Sequence, residues 1–142
     1  MPIRSEHRWL YPIDWPQLSA QIRFERAQGR CERCRRPHLE RIWHLGNGQW
    51  WDPTSETWRD ARGRSVRAES VLDQLRNFRV VLACAHLDHD PTNNRPRNLA
   101  ALCQRCHLAH DAREHRYRRW HNRFVCRALR DFFDPALQAV NY

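Results

Sequence analysis

Six cysteines and nine histidines supply most of the chemistry available to this 142-residue chain. Four of the cysteines form two C-x-x-C pairs, Cys31/Cys34 and Cys103/Cys106. A tight pair presents two sulfurs to one ion, and two pairs complete the tetrahedral set that a structural zinc takes. Two disulfides would use the same thiols, but a reducing compartment disfavours them. A redox-active pair is disfavoured as well, because no thioredoxin-like βαβ pattern surrounds either one. Cys84 and Cys126 lie among apolar residues and are expected to be buried, inert thiols.

A second group lies between Cys84 and Asp111. Ala85-His86-Leu87-Asp88-His89-Asp90 runs into a polar segment ending at Asn98-Leu99, and beyond Cys106 come His107 and Asp111, spaced i and i+4. A phosphodiester resists hydrolysis because its charge repels nucleophiles and its leaving oxygen is poor, so a catalyst needs a base for water and a cation at the phosphate. A histidine is neutral near pH 7 and can take the water's proton. On a helix, His107 and Asp111 would offer a nitrogen and an oxygen to one metal. A lone histidine is more commonly a surface or core side chain than a catalyst, but the combination argues against that role here. Asn98 would brace the loop that holds the base, or cap a helix beginning at Leu99. His110 and Asp90 are assigned no part.

The segment 84–111 resembles the HNH endonuclease family, whose pattern is a His at a strand end, an Asn-Leu in the following loop and a Cys-x-x-Cys-His at the start of a helix. His86, Asn98 and His107 match its three named positions. Cys31/Cys34 looks like the other half of the family's zinc ribbon. Met1-Pro2-Ile3-Arg4, Tyr11-Pro12 and Asp14-Trp15 are similar to the starts of small HNH proteins common in phages and prophages. Residues 41–78 look like an insertion.

The resemblance implies a ββα-metal core in which a strand pair and a helix clasp one divalent cation, Mg²⁺, Mn²⁺ or a related ion, against the scissile DNA phosphate, leaving 5′-phosphate and 3′-hydroxyl ends. His86 is then the base, and Asp88 or His89 joins His107 and Asp111 as cation ligands. Many family members carry His or Asp immediately before the catalytic His, whereas this chain has Ala85, which cannot bind metal. A competing register takes Asp88-His89 as the ligand and base pair. Ala85 also supports a rival reading, a zinc-stapled nucleic-acid-binding module that has lost catalysis. A third, an adaptor that binds proteins through the Trp-rich insertion, leaves the His/Asn/His pattern unexplained.

These residues need elements to position them. One domain over 1–142 is expected, of the α+β class: an arm and helix within 1–30, the inserted hairpin and loop over 41–78, the HNH core over 79–111 and a long basic helix over 107–133. Asp14, Pro16, Gln17 and Gly29 frame a helix at about 15–28. Trp43, Trp50, Trp51 and Trp58 around Gly46-Asn47-Gly48 and Asp52-Pro53-Thr54 predict a β-hairpin or short meander. Its tryptophans either stack on bases or pack across strands, and cross-strand packing is the commoner role. Residues 60–70 read as a loop and 70–78 as a short helix, while 79–87 read as a strand delivering His86 to a loop. After Asn98, Leu99-Ala100-Ala101-Leu102 leads into Cys103-Gln104-Arg105-Cys106-His107, and helical character continues to about Phe133.

The net charge of +9, carried entirely by arginine among 25 basic residues, favours an anionic polymer as partner. DNA contact through phosphates is assigned to Arg95, Arg97, Arg105, Arg113, Arg116 and Arg123. The absence of lysine fits a GC-rich codon bias as well as a selected phosphate grip, so only the net charge is informative. The C-terminal helix either tracks a DNA backbone or turns a solvated charged face outward. No stretch has the ~20 apolar residues of a membrane span, and the N-terminus lacks an apolar signal, so a cytoplasmic protein of bacterial or phage origin is expected.

Overall fold

A computed structural model describes residues 5–67 and 75–133, an α+β arrangement with two antiparallel sheets. The chain divides into two compact units, Met1–Ala109 and His110–Tyr142. In the first unit a 3-10 turn, Ser5–Leu10, precedes helix α1, Trp15–Ala20, which continues as π-helix over Gln21–Arg26. Pro16 occupies the first turn, where its missing N–H leaves no bond unmade. Asp14 makes no side-chain cap; the Leu18 N–H bonds its backbone carbonyl instead. The helix closes with Gln28 and Gly29 at positive φ, and the Gly29 N–H returns to the Arg23 carbonyl at 2.9 Å.

A meander follows, formed by β1 (Arg41–His44), β2 (Trp50–Asp52), β3 (Thr57–Arg59) and β4 (Ser65–Val66), with β5 (Arg76–Arg79) on the free side of β1. The expected helix over 70–78 is corrected here, since Arg76–Arg79 pairs with β1, Ile42 opposite Phe78. Phe78 is drawn into the sheet because one face needs an apolar residue beside buried Ile42, a period-two demand that overrides the helical spacing. Val71 and Leu72, on which that helix also rested, lie outside the described residues.

The second sheet is the pair β6 (Leu82–His86) and β7 (Leu99–Cys103), in register from Leu82↔Cys103 to His86↔Leu99. All five residues of β7 are buried, so Asn98 leads into a strand and caps no helix. Helix α2 starts at Gln104 and runs to Phe133. Its part within the second unit exposes Tyr117, Trp120 and Phe124 along one stripe. Cys126 is exposed as well, contrary to the buried thiol expected, whereas Cys84 packs against the cluster of Ile22, Ala27, Leu99 and Ala101. Among the described residues no helix is long and apolar enough to cross a membrane.

Alternation splits the insertion's sheet into two faces. Ile42, Trp50 and Asp52 point inward and are fully buried. Asp52 is held by Arg59 at 2.7 Å and Arg30 at 3.4 Å, with Ser55 and the Thr54 N–H also donating to it. Burial alone would raise its pKa, but those donors and cations hold it below the usual carboxylate value. The stability it contributes is therefore present above the ordinary carboxylate range and is lost as pH falls through its lowered native value. Asp52→Asn should cost on the order of 2 kcal/mol in urea melts at pH 7, and the gap from wild type should close below about pH 4. An unchanged gap at acid pH would show that the charge is not what matters.

Candidate functional site

Cys31 and Cys34 sit in the tight turn after the first helix, Cys103 ends β7 and Cys106 lies in the first turn of α2. All four are buried free thiols whose sulfurs lie within 4.8 Å of one another, with Cys34 and Cys103 at 3.5 Å. Tetrahedral Zn–S bonds of about 2.3 Å would set the sulfurs about 3.8 Å apart. A buried four-cysteine cluster of these dimensions can hold a structural metal such as zinc. Hydrogen bonding with Cys106, Cys31 and Cys34 pulls the Cys103 thiol far below its ordinary value, while bonding with Cys103 pushes Cys34 and Cys106 up.

His86 stands at the last residue of β6, half-buried, its ring stacked on Trp15 at 5.0 Å and 12° and met edge-on by Tyr11 at 5.8 Å. Its Nε2 lies 3.0 Å from Asn94 Oδ1. The amide orientation follows from its other end, where Nδ2 donates to the carbonyls of Pro91 and Thr92 at 3.3 and 3.2 Å. With the oxygen turned to the ring, Nε2–H is the donor in this hydrogen bond.

Asn98 ties the same loop together. Its Nδ2 donates to Asp88 Oδ1 and to the Asn93 carbonyl, both at 2.8 Å, and its Oδ1 accepts the Asp88 N–H at 3.1 Å. Asp88 in turn accepts from the Asp90 N–H and from Asn93 Nδ2. Those hydrogen bonds, led by the Asp90 N–H, hold its pKa down to about 2. The chain then reverses at His89, whose φ of 62° is left-handed for a non-glycine residue and whose N–H bonds the His86 carbonyl at 3.3 Å.

Of the residues singled out from sequence, the four cysteines converge, and His86, Asp88, His89 and Asn98 share one hydrogen-bonded loop. His107 lies on the first turn of α2, with Asp111 one turn further along the same helix. Arg95, Arg97 and Arg105 are exposed in the first unit and Arg113, Arg116 and Arg123 in the second. Asn94, Trp15 and Tyr11 were missed. Asn94 follows another asparagine in a polar run, and nothing in its local sequence distinguishes the two; the tryptophan and tyrosine are brought to His86 only by tertiary packing.

Removing a ligand from the thiol cluster should leave buried unpaired sulfurs and an open core, so Cys106→Ser is expected to lower the melting temperature by more than about 10 °C. Freshly purified protein should carry one zinc-class ion per chain by elemental analysis, and finding disulfides within both pairs instead would sink this assignment.

No family model matches the chain, and neither a curated protein nor a solved structure does so.

Proposed function

We propose that the protein is a metal-dependent HNH-type endonuclease that hydrolyses DNA phosphodiester bonds, with the four-cysteine cluster holding a structural zinc. The observation that carries this reading is the setting of His86: it ends β6 with its ring stacked on Trp15 and its Nε2 hydrogen-bonded to Asn94, beside a loop braced by Asn98. Support also comes from the order of elements, two paired strands followed directly by a helix bearing His107, which fits a ββα-metal core.

In this reading His86 accepts a proton from water as the water oxygen bonds phosphorus. The bond from phosphorus to the 3′ oxygen breaks, and that oxygen takes a proton from solvent, leaving 5′-phosphate and 3′-hydroxyl ends. Asp88, His89 and His107, all in the first unit, would hold the divalent cation, which when bound supplies charge neutralisation at the phosphate. Asp88 suits that part because it stays ionised down to about pH 2. Trp15 and Tyr11 fix the ring's plane, and the exposed arginines provide phosphate contacts.

A second reading, a zinc-stapled DNA-binding module without catalysis, draws on Ala85. That residue is only 2% exposed and pairs with Ala100 in the strand ladder, so its position offers no ligand. Metal-dependent cutting of supercoiled plasmid separates the two.

Three outcomes are expected. His86→Ala should abolish cutting at saturating metal while metal affinity persists, whereas His89→Ala or Asp88→Ala should weaken metal binding and recover in part with excess cation. If His86→Ala cuts at the wild-type rate while His89→Ala is dead at saturating metal, His89 is the base. Asn94→Ala should lower kcat and shift its pH profile with KM little changed, a signature that a purely structural asparagine would not give. Duplex binding should weaken steeply with salt, and charge reversal at Arg116 with Arg123 should reduce it with the fold intact; salt-indifferent binding would contradict the phosphate contacts.

A further inference from the structure

The five-stranded sheet turns one face to the core and leaves the other outward, and the tryptophans divide between them. Trp50 is fully buried on the inner face, opposite Arg59. Trp51 lies opposite Trp58 with ring centroids 5.8 Å apart, and because His44 pairs with inward-facing Trp50, Trp43 and Trp51, each one residue along, fall on the outer face. Three indoles, one on each of β1, β2 and β3, thus share that face. Trp43 is 46% exposed, while Trp51 and Trp58 are partly buried and keep a smaller share of their rings at the surface. Cross-strand packing accounts for the Trp51–Trp58 pair but not for Trp43, an indole turned to solvent on a sheet whose core already has Trp50.

The charge on this face has one sign. Arg41 and Arg79 lie opposite each other on β1 and β5, on the same side as Trp43. Among the strand residues of the sheet the sole acid is Asp52, which points inward and is taken by Arg59 and Arg30. Rings at the surface, beside cations that no acid among the described strand residues of that face opposes, form a surface for an anionic chain whose flat groups are unpaired.

We infer that this outer face binds single-stranded DNA, bases stacking on Trp43, Trp51 and Trp58 while Arg41 and Arg79 meet the phosphates. A duplex hides its base faces and cannot use these indoles. RNA presents the same bases with a 2′-hydroxyl besides, and comparing the two sugars in the test separates them. The inference stands whether or not the protein cuts DNA.

The test uses the whole chain without added divalent cation, a labelled oligothymidylate of about 12 nucleotides, the matching oligouridylate and a duplex of equal length. Trp43→Ser with Trp51→Ser should weaken oligothymidylate binding about tenfold or more and leave duplex affinity nearly unchanged, and the corresponding Phe variants should keep most of the binding. Binding should quench the wild-type tryptophan fluorescence. Should the Ser variant fail to fold, Arg41→Gln with Arg79→Gln keeps every indole and should flatten the dependence of log affinity on log salt by about 1.4. Wild-type affinity for oligothymidylate in folded variants overturns the inference, as does a preference for oligouridylate. So does a wild-type dimer in sedimentation that the Ser variant dissolves, which would make the face a contact between copies.

Discussion

Closing the four thiols around one point is the constraint on which the first unit depends. Cys31 and Cys103 are 72 positions apart, yet the Cys103 N–H bonds the Cys31 sulfur at 3.4 Å. A chain of this size buries too little apolar surface to hold such a distant closure cheaply, and a metal clip offsets most where the loop it closes is long. The cysteine turn recruits its neighbours too. Glu32, between the paired cysteines, accepts the Ala101 N–H at 2.7 Å and both arms of Arg26, whose guanidinium also reaches the carbonyls of Pro96 and Leu99. Helix, cysteine turn and β7 thereby share one knot of charge-assisted bonds.

The β6–β7 ladder carries that rigidity to the chemistry. Cys103 pairs with Leu82 at one end of the ladder, and His86 pairs with Leu99 at the other, four residues or about 14 Å away. The thiol cluster therefore supports the strand that presents His86 without touching it, and the loop beyond is held by its own asparagines and aspartates. In the role we propose for it, His86 needs its ring held in place: stacking on Trp15 sets the ring plane and the bond to Asn94 its rotation, and neither contact involves the four thiols.

What the sequence made legible were features with short-range signatures: the C-x-x-C spacing, the strand ending at His86, the helix framed by Pro16 and Gly29, the long C-terminal helix. Hidden were features decided by tertiary context. Arg76–Phe78 reads as the end of a short helix until Ile42 presents it with an edge, and the division of the tryptophans between two faces depends on a register set by the turns at Gly46–Gly48 and Asp52–Glu56. Asn94's role is of the same kind. Its partner is eight residues away in a loop with no periodicity, so only three-dimensional geometry distinguishes it from Asn93.

The insertion is mounted more firmly than its loop-rich sequence suggests. A side chain at Gly63, where φ is +82°, would meet the Cys34 carbonyl at 3.0 Å, so the turn between β3 and β4 presses on the cysteine turn itself. Gly48 leaves equally little room, since a Cβ there would come within 2.9 Å of Arg105. Inside the sheet, the buried Arg36 guanidinium lies over the rings of Trp50 and Phe78 at 5.7 and 5.9 Å, and Arg30 and Arg59 converge on Asp52. These contacts brace the inner face of the sheet against the cysteine turn, Arg36 and Asp52, and an outer-face ligand of the kind we infer would meet indoles carried on a braced backbone, which lowers the ordering cost of binding.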